Sequence, residues 1–405
     1  MTRIRVGLVG ASGWMGRTHA LLLAAQHVVF GPEPSVSLEM VADATPELAA
    51  DAARACGVAR STGDWRELVA SPDVDVVDVV TPNHLHHTIA LAAIAAGKHV
   101  YCEKPLAMNS RQSFAMAQAA GRRGVVTLVG YNYPVNPIHR VAREIIAAGD
   151  IGEVVNVRFS KNVDYMSDPQ APFVWRHDRS IAGSGTLGDT VSHLLSMLQY
   201  LIGDVAEVMG HVRIVHGERP LVPGAAIGRQ AGPATALRKV ETDDEVLVLL
   251  KLAGGATGTM DASRVATGRR MEFAYVVTGT RGSLAWSIDR LNTLEFYSAA
   301  DRPGRQGFRR IEAAPEHAGY GAFYPVANIG MGYNDQKMIE IRTLIEAVAA
   351  GRTDAWPNFA DAHRIQCTLD AIAASSLERR WVRVSEIAER CETTSSPVGT
   401  EGSAS

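Results

Sequence analysis

Over roughly its first 130 residues the chain alternates short apolar runs with longer runs of helical spacing, which leaves few folds open. "IRVGLVG" reads as a buried strand and "WMGRTHALLLAAQ" as the helix after it. "VSLEMVAD" is a second strand, and the helix that follows has Thr45 as N-cap, Pro46 at its first position and Gly57 just beyond its end. "VDVVDVVTPN" is too apolar for an edge strand, and "HLHHTIALAAIAAGKHV" is a helix stopped by Gly97. "KHVYCEKP" and "VVTLVGYNY" complete the series. Strand–helix–strand repetition implies a doubly wound parallel sheet covered on both faces.

From about residue 150 the rhythm changes. "EVVNVRFS", "VAEVMGHVRIVHG", "DEVLVLLKLAGGATGTMDASRV" and "MEFAYVVTGTRGSLAWSI" are strand runs joined by short Gly-containing turns, the pattern of an antiparallel sheet. "GSGTLGDTVSHLLSMLQYLIG", residues 183–203, lies between the first two and reads as one amphipathic helix closed by Gly203. Leu187, Val191, Leu194, Leu198 and Leu201 form its core stripe. Asp189 and His193, four apart, share another face with Ser196 and Tyr200. "NDQKMIEIRTLIEAVAAG" and "FADAHRIQCTLDAIAASSLERR" are late helices. The fold class is α/β: a doubly wound domain, then an α+β domain with a large, mainly antiparallel, open-faced sheet. A ligand cleft between them is the natural expectation.

With 46% hydrophobic and 20% charged residues, 405 residues suit two globular domains with sizeable cores. A net charge of −3 gives no reason to expect nucleic acid or an anionic membrane as partner. No apolar run reaches the ~18 residues of a membrane span. Cys56, Cys102, Cys367 and Cys391 lie far apart without a CxxC, which fits a reducing cytoplasm and neither a disulfide framework nor a zinc site.

"VGLVGASGWMGRTHA" sets Gly10, Gly13 and Gly16 between the first strand and the first helix. Glycines there permit a tight turn, close backbone approach to a pyrophosphate and close helix–strand packing, while the helix N-terminus presents free N–H groups. The spacing is GxxGxxG, so the context of strand, loop and helix carries more weight than the pattern itself. Gly10, Ser12, Gly13, Trp14 and Met15 are candidate cofactor contacts. Asp43, at the end of the second strand, suits the ribose hydroxyls and repels a 2′-phosphate, favouring NAD over NADP.

"CEKPLA" at 102–107, "TPNHLHH" at 81–87 and "GSGTLGDTVSH" at 183–193 together resemble the Gfo/Idh/MocA family of nicotinamide-dependent oxidoreductases, which act mainly on sugars and inositols. The likeness covers nearly the whole chain. "WRHDRSIAGSG", "VETDDEV" and "YGAFYPVANIGMGYNDQK" are most similar to the branch around levoglucosan dehydrogenase and glycoside 3-dehydrogenases. Together with the change of rhythm the resemblance gives a Rossmann domain over 1–132 and a substrate and oligomerisation domain over 133–385; the tail, 386–405, ending in the small, polar "CETTSSPVGTEGSAS", is expected to be disordered. The resemblance implies that Lys104 lies near the reacting carbon, and that Asp189 and His193 hold the substrate hydroxyl and take its proton. Asn83 and His84 match a loop over the nicotinamide half, joined by Thr81 and by Glu103, the acid before the lysine. It further implies a homotetramer or dimer packed through the open sheet. Two positions depart from the family: the glycine loop has an extra residue, and Pro134 and Val135 stand where relatives often have basic side chains.

Imidazole is matched to accept a proton near neutral pH, and Asp189 one turn back could orient the ring or bind a second hydroxyl. Lys104 would favour negative charge developing on an alcohol oxygen. Arg176, Tyr131, Lys104, Asp189 and His193 are the substrate candidates, with Trp175, His317 and Tyr333 behind them. His84, His86 and His87 lack companions at metal spacing, so no metal is expected. "ETDDE" at 241–245 reads first as a solvated turn, with a cation site, an interface or a substrate loop as alternatives. The implied reaction is NAD-dependent oxidation of a secondary hydroxyl of a sugar, anhydrosugar or glycoside, at the third ring carbon, with His193 as base. Inositol dehydrogenase or keto-sugar reductase are the nearest alternatives; an NAD-dependent glycosidase or a non-enzymatic sugar-sensing regulator belong to other classes.

Overall fold

The computed structural model describes residues 3–224 and 233–393. The first half runs β1 (Arg3–Val9), α1 (Trp14–Phe30), β2 (Ser35–Ala42), α2 (Pro46–Cys56), β3 (Arg60–Thr62), α3 (Trp65–Ala70), β4 (Val76–Val79), α4 (Asn83–Ala95), β5 (His99–Cys102), α5 (Ser110–Arg123) and β6 (Thr127–Val129). Its six strands are ordered β3-β2-β1-β4-β5-β6 and all pair in parallel. The order reverses between β1 and β4, so their carboxyl ends flank the crevice where such sheets take ligands. β3 is a three-residue edge strand, too short to show any periodicity.

The second half continues α6 (Pro137–Ala147), β7 (Val154–Asn162), α7 (Arg179–Ala182), α8 (Ser192–Leu201), β8 (Val205–Arg213), β9 (Glu218–Leu221), β10 (Ala236–Lys239), β11 (Glu245–Leu252), β12 (Thr257–Ser263), β13 (Ala274–Gly279), β14 (Gly282–Ser287), β15 (Thr293–Ser298), β16 (Arg309–Glu312), α9 (Tyr333–Ala350), α10 (Phe359–Glu378), β17 (Val382–Arg383) and α11 (Val384–Thr393). Nine strands form one sheet, β16-β15-β14-β13-β7-β12-β11-β8-β17, in which β7 and β12 are the parallel pair. Burial alternates strictly along β11, with Leu247 and Leu249 on the open face. The opposite face packs into the main core around Phe159, Leu194, Leu198 and Tyr275.

Two expectations change. The segment carrying Asp189 and His193 is not one α-helix: Leu187–Val191 is a π-helical turn, and α8 begins at Ser192. The tail expected to be disordered from 386 is helical to Thr393, because Ile387 and Cys391 are buried and Glu386 pairs with Arg380 and Arg383. The remainder, 394–405, lies outside the described residues.

α9 returns to the first sheet. Met338, Ile341, Leu344 and Ile345 pack against Ile4, Val6, Leu23 and Val76, so a late helix completes the core of the early domain.

Candidate active site

At the crevice, Gly10 turns with φ +96°, and a Cβ there would sit 2.8 Å from the Val80 carbonyl oxygen. A Cβ on Gly16 would collide with the Gly10 carbonyl, whereas Gly13, at the cap of α1, has open space. The first turn of α1 holds no acid and no side-chain cap, so its N–H groups are free to meet an anion. Asp43 accepts bonds from the Ser12 and Ala44 amides, both at 2.8 Å, which ties the end of β2 to the glycine turn. Trp14 is 66% exposed and stacks on Tyr333 at 5.7 Å, and the Tyr333 hydroxyl meets the Met15 sulfur. The buried Thr81 hydroxyl has no partner. A glycine turn without side chains, an uncapped helix start, an orphaned hydroxyl and a carboxylate together fit a dinucleotide.

Next to this edge β5 delivers Glu103 and Lys104. Glu103 is buried, takes Lys337 Nζ at 2.8 Å and His19 Nε2 at 3.2 Å, and receives the Lys104 amide at 3.1 Å. Burial works against its ionisation, yet Lys337 and His19 hold the carboxyl well below the usual range. Burial likewise opposes the His19 cation, but Asp78 and Glu103 raise that ring to about 9. The lysine after Glu103 thus stands on a fixed, internally paired base.

Lys104 Nζ meets Asp189 Oδ1 at 2.7 Å and the Asp189 carbonyl at 3.0 Å. Arg176 reaches the same carboxylate oxygen at 3.0 Å, with its guanidinium over the Trp175 ring, and the Tyr165 hydroxyl donates to Oδ2 at 3.2 Å. Burial works to raise the Asp189 carboxyl; Arg176 and Lys104 hold it well below its ordinary range. The structure therefore turns Asp189 toward two cations and a phenol, where the helical spacing suggested that it orients His193 or binds a second hydroxyl. The π turn explains the difference, since i and i+4 no longer stack as they do on an α-helix.

His193 is 6% exposed, and its Nδ1 has no hydrogen-bond partner. The ring meets Tyr133 edge-on at 5.1 Å and Tyr131 at 6.0 Å. Burial, then Lys104 and Lys161, push its pKa well below the imidazole value, so the ring is neutral at neutral pH. Tyr131 is fully buried. Asn83 and His84 open α4; the Asn83 amide donates to the Ala182 carbonyl at 2.9 Å, and His84 is exposed. His86 is buried between the Thr81 and Pro105 carbonyls, and His317 accepts the Ala314 amide within its own loop. Among the described residues no cluster suits a metal ion.

"ETDDE" is not a solvated turn. Asp243 accepts the Gly185 and Leu187 amides at 2.8 and 2.6 Å, capping the turn that carries Asp189. A Cβ on Gly185 would collide with the Asp243 carbonyl. Asp244, wholly buried, pairs with Arg264 at 2.7 Å, and its carbonyl takes the Thr186 hydroxyl at 2.9 Å. The sequence reading also passed over Lys161, Tyr133 and Tyr165. Period-2 alternation in "VNVRFSKN" was the available signal for Lys161, because it shares a face with Val157 and Phe159.

Comparison with known proteins gives the family and the class of reaction. Residues 4–131 match the oxidoreductase family with an NAD-binding Rossmann fold, and 139–285 match the GFO/IDH/MocA C-terminal domain. Levoglucosan dehydrogenase of Pseudarthrobacter phenanthrenivorans is 38% identical over 390 residues, covering 96% of this chain and all of that protein. A solved levoglucosan dehydrogenase in complex with NADH and levoglucosan shares 38% identity, with a TM-score of 0.88 over 95% of this chain and 100% of that one. An NAD binding oxidoreductase from Klebsiella pneumoniae shares 40%, also at 0.88, over 95% and 99%. The chain is thus an NAD-dependent oxidoreductase. The chain belongs to the Gfo/Idh/MocA family. No described helix is long and apolar enough to cross a membrane.

Proposed function

We propose that this enzyme oxidises a secondary hydroxyl of a sugar-like substrate to the ketone, at the third ring carbon of a pyranose, with His193 as general base. The observation that carries the reading is the convergence of Lys104, Asp189 and a neutral, unpaired His193 beside the glycine edge. Full-length likeness to levoglucosan dehydrogenase supports the substrate class. NAD, when bound, supplies the hydride acceptor. His193 takes the hydroxyl proton, and the resulting imidazolium is stabilised through space by the Asp189 carboxylate. Lys104, held on Asp189, directs an ammonium at the oxygen as negative charge develops there. Arg176 shares Asp189 Oδ1 with Lys104 and offers further donors to ring hydroxyls.

Asp43 would hold the adenosine ribose, and the amides of Gly13, Trp14 and Met15 at the uncapped start of α1 would meet the pyrophosphate. Thr81, Asn83 and His84 border the nicotinamide half. The apolar open face of the nine-stranded sheet, with Leu247, Leu249 and Val276 exposed, packs on a second copy in a homo-oligomer.

The test is NADH formation by absorbance with NAD or NADP, over levoglucosan, glucose, simple glucosides and myo- and scyllo-inositol. Turnover of a pyranose, with its keto product identified by mass and NMR, sustains the reading; turnover of inositols alone, or free sugar released from glucosides without net NADH, overturns it. In the same assay Asp43→Ala raises KM for NAD about tenfold, the loss of about 1.4 kcal/mol of a charge-assisted bond. It also narrows the preference over NADP. An unchanged KM removes Asp43 from the ribose.

A further inference from the structure

Lys161 stands at the end of β7 on the inward face, after Val157 and Phe159. It is 6% exposed. Its ammonium lies over the rings of Tyr133 at 4.7 Å and Phe273 at 4.9 Å, and its hydrogen-bond contact is the Met271 sulfur at 3.7 Å. Among the described residues no carboxylate pairs with it. Lys337, the other deeply buried lysine, shows the contrast: it sits between Glu103 and Glu340 at 2.8 and 2.7 Å.

The Tyr133 ring beneath Lys161 is the one that meets His193, and Lys161 acts electrostatically on both His193 and Lys104. The cleft therefore holds three basic side chains, Lys104, Lys161 and Arg176, against one carboxylate. That carboxylate, Asp189, is already shared by Lys104 and Arg176. Glu103 does not redress the balance, being matched by Lys337 and His19. Burial, then Lys104, bring the Lys161 amine down to about 7 although Asp189 works to raise it, so near neutral pH the amine is charged only in part. A neutral sugar would leave that amine partly discharged. An anionic group would convert it into a charge-assisted pair on a rigid aromatic floor.

We propose that Lys161 selects the substrate by pairing with a carboxylate, so that this enzyme acts on a sugar acid rather than a neutral sugar. The proposal rests on the reading of the cleft as a sugar-oxidising site and names the class of sugar. The carboxylate takes no part in the redox step; it fixes which end of the ring lies at Lys161 and which carbon lies at His193. In charge terms the loaded cleft then holds three cations and two carboxylates.

Two measurements test this, one independent of turnover. By calorimetry, the NADH-loaded enzyme binds methyl glucuronoside at least about 30-fold tighter than methyl glucoside, the range for one buried charge pair. Lys161→Met, an apolar side chain of similar length, removes that difference without weakening NADH binding, and Lys161→Arg restores part of it. In the NADH-formation assay the acid of each matched pair, glucuronate with glucose and the two methyl glycosides, has the higher kcat/KM, and Lys161→Met reverses the order. Equal binding of acid and neutral sugar by the wild-type enzyme overturns the proposal and needs no variant. A preference for the neutral member, or a Lys161→Met loss equal for both, also overturns it. Acid-selective binding with no oxidation of any sugar keeps the proposal about Lys161 and removes the sugar-oxidising reading instead.

Discussion

Alanine at position 193 lowers kcat for NADH formation by about 10²–10⁴-fold, the range for loss of a positioned general base, and leaves fluorescence titration with NADH unchanged. A loss under tenfold, or one accompanied by lost cofactor binding, removes His193 from the proton transfer. The wild-type pH profile supplies a second check that a structural role would not move. Burial, Lys104 and Lys161 disfavour the imidazolium, so the free enzyme carries a base-ready ring below the ordinary imidazole pKa. The acid limb of kcat/KM from this group therefore lies below pH ~6.5, and activity at pH 6 stays close to that at pH 8 as far as this ring decides it. An acid limb centred above that value contradicts the assignment. The same sign governs stability. As pH falls through the unfolded imidazole's range the unfolded chain binds a proton that the native ring refuses, so His193 contributes a loss of stability toward acid.

Substituting Arg264 with methionine lowers unfolding stability by about 3–5 kcal/mol, because Asp244 stays buried with its charge uncompensated. Both side chains are almost fully buried, at 2% and 0% exposure, and the guanidinium also holds Thr242 through its carbonyl and hydroxyl. Urea unfolding of the variant measures the cost. The double variant Arg264→Met/Asp244→Leu recovers part of it, since neither lone charge remains. A single-variant loss under ~1 kcal/mol would mean that water or another cation reaches Asp244. Because Asp243 caps the turn bearing Asp189 and the Asp244 carbonyl holds Thr186 beside it, the single variant also loses activity against the native pair.

The glycine loop and the parallel strands were legible because their signals are local: apolar runs, punctuating glycines and caps within a few residues. The lysine of "EKP" was singled out by the family resemblance, since alone the tripeptide reads as a solvated turn. β3 and α3 were not legible, being three and six residues long. The π turn escaped for a different reason. The pattern of Leu187, Val191 and Leu194 is that of a helix, and the turn's start is held by the distant Asp243, which accepts the Gly185 and Leu187 amides. Asp189 paired with the lysine of β5 rather than its neighbour His193 for the same cause. Lys161 needed only strict alternation on β7 to be placed inward, but a lysine facing a core is ordinarily discounted until its surroundings are known.

The return of α9 to the early sheet bears on how this gene can be cut and recombined. A fragment ending after residue 132 would leave Ile4, Val6 and Val76 uncovered and Glu103 without Lys337. The nucleotide module is therefore not portable as a contiguous stretch of sequence. Transplanting it into another scaffold means carrying residues 333–350 along with 1–132, as two separate inserts, and a chimera that moves the first alone inherits a collapsed foundation under its lysine.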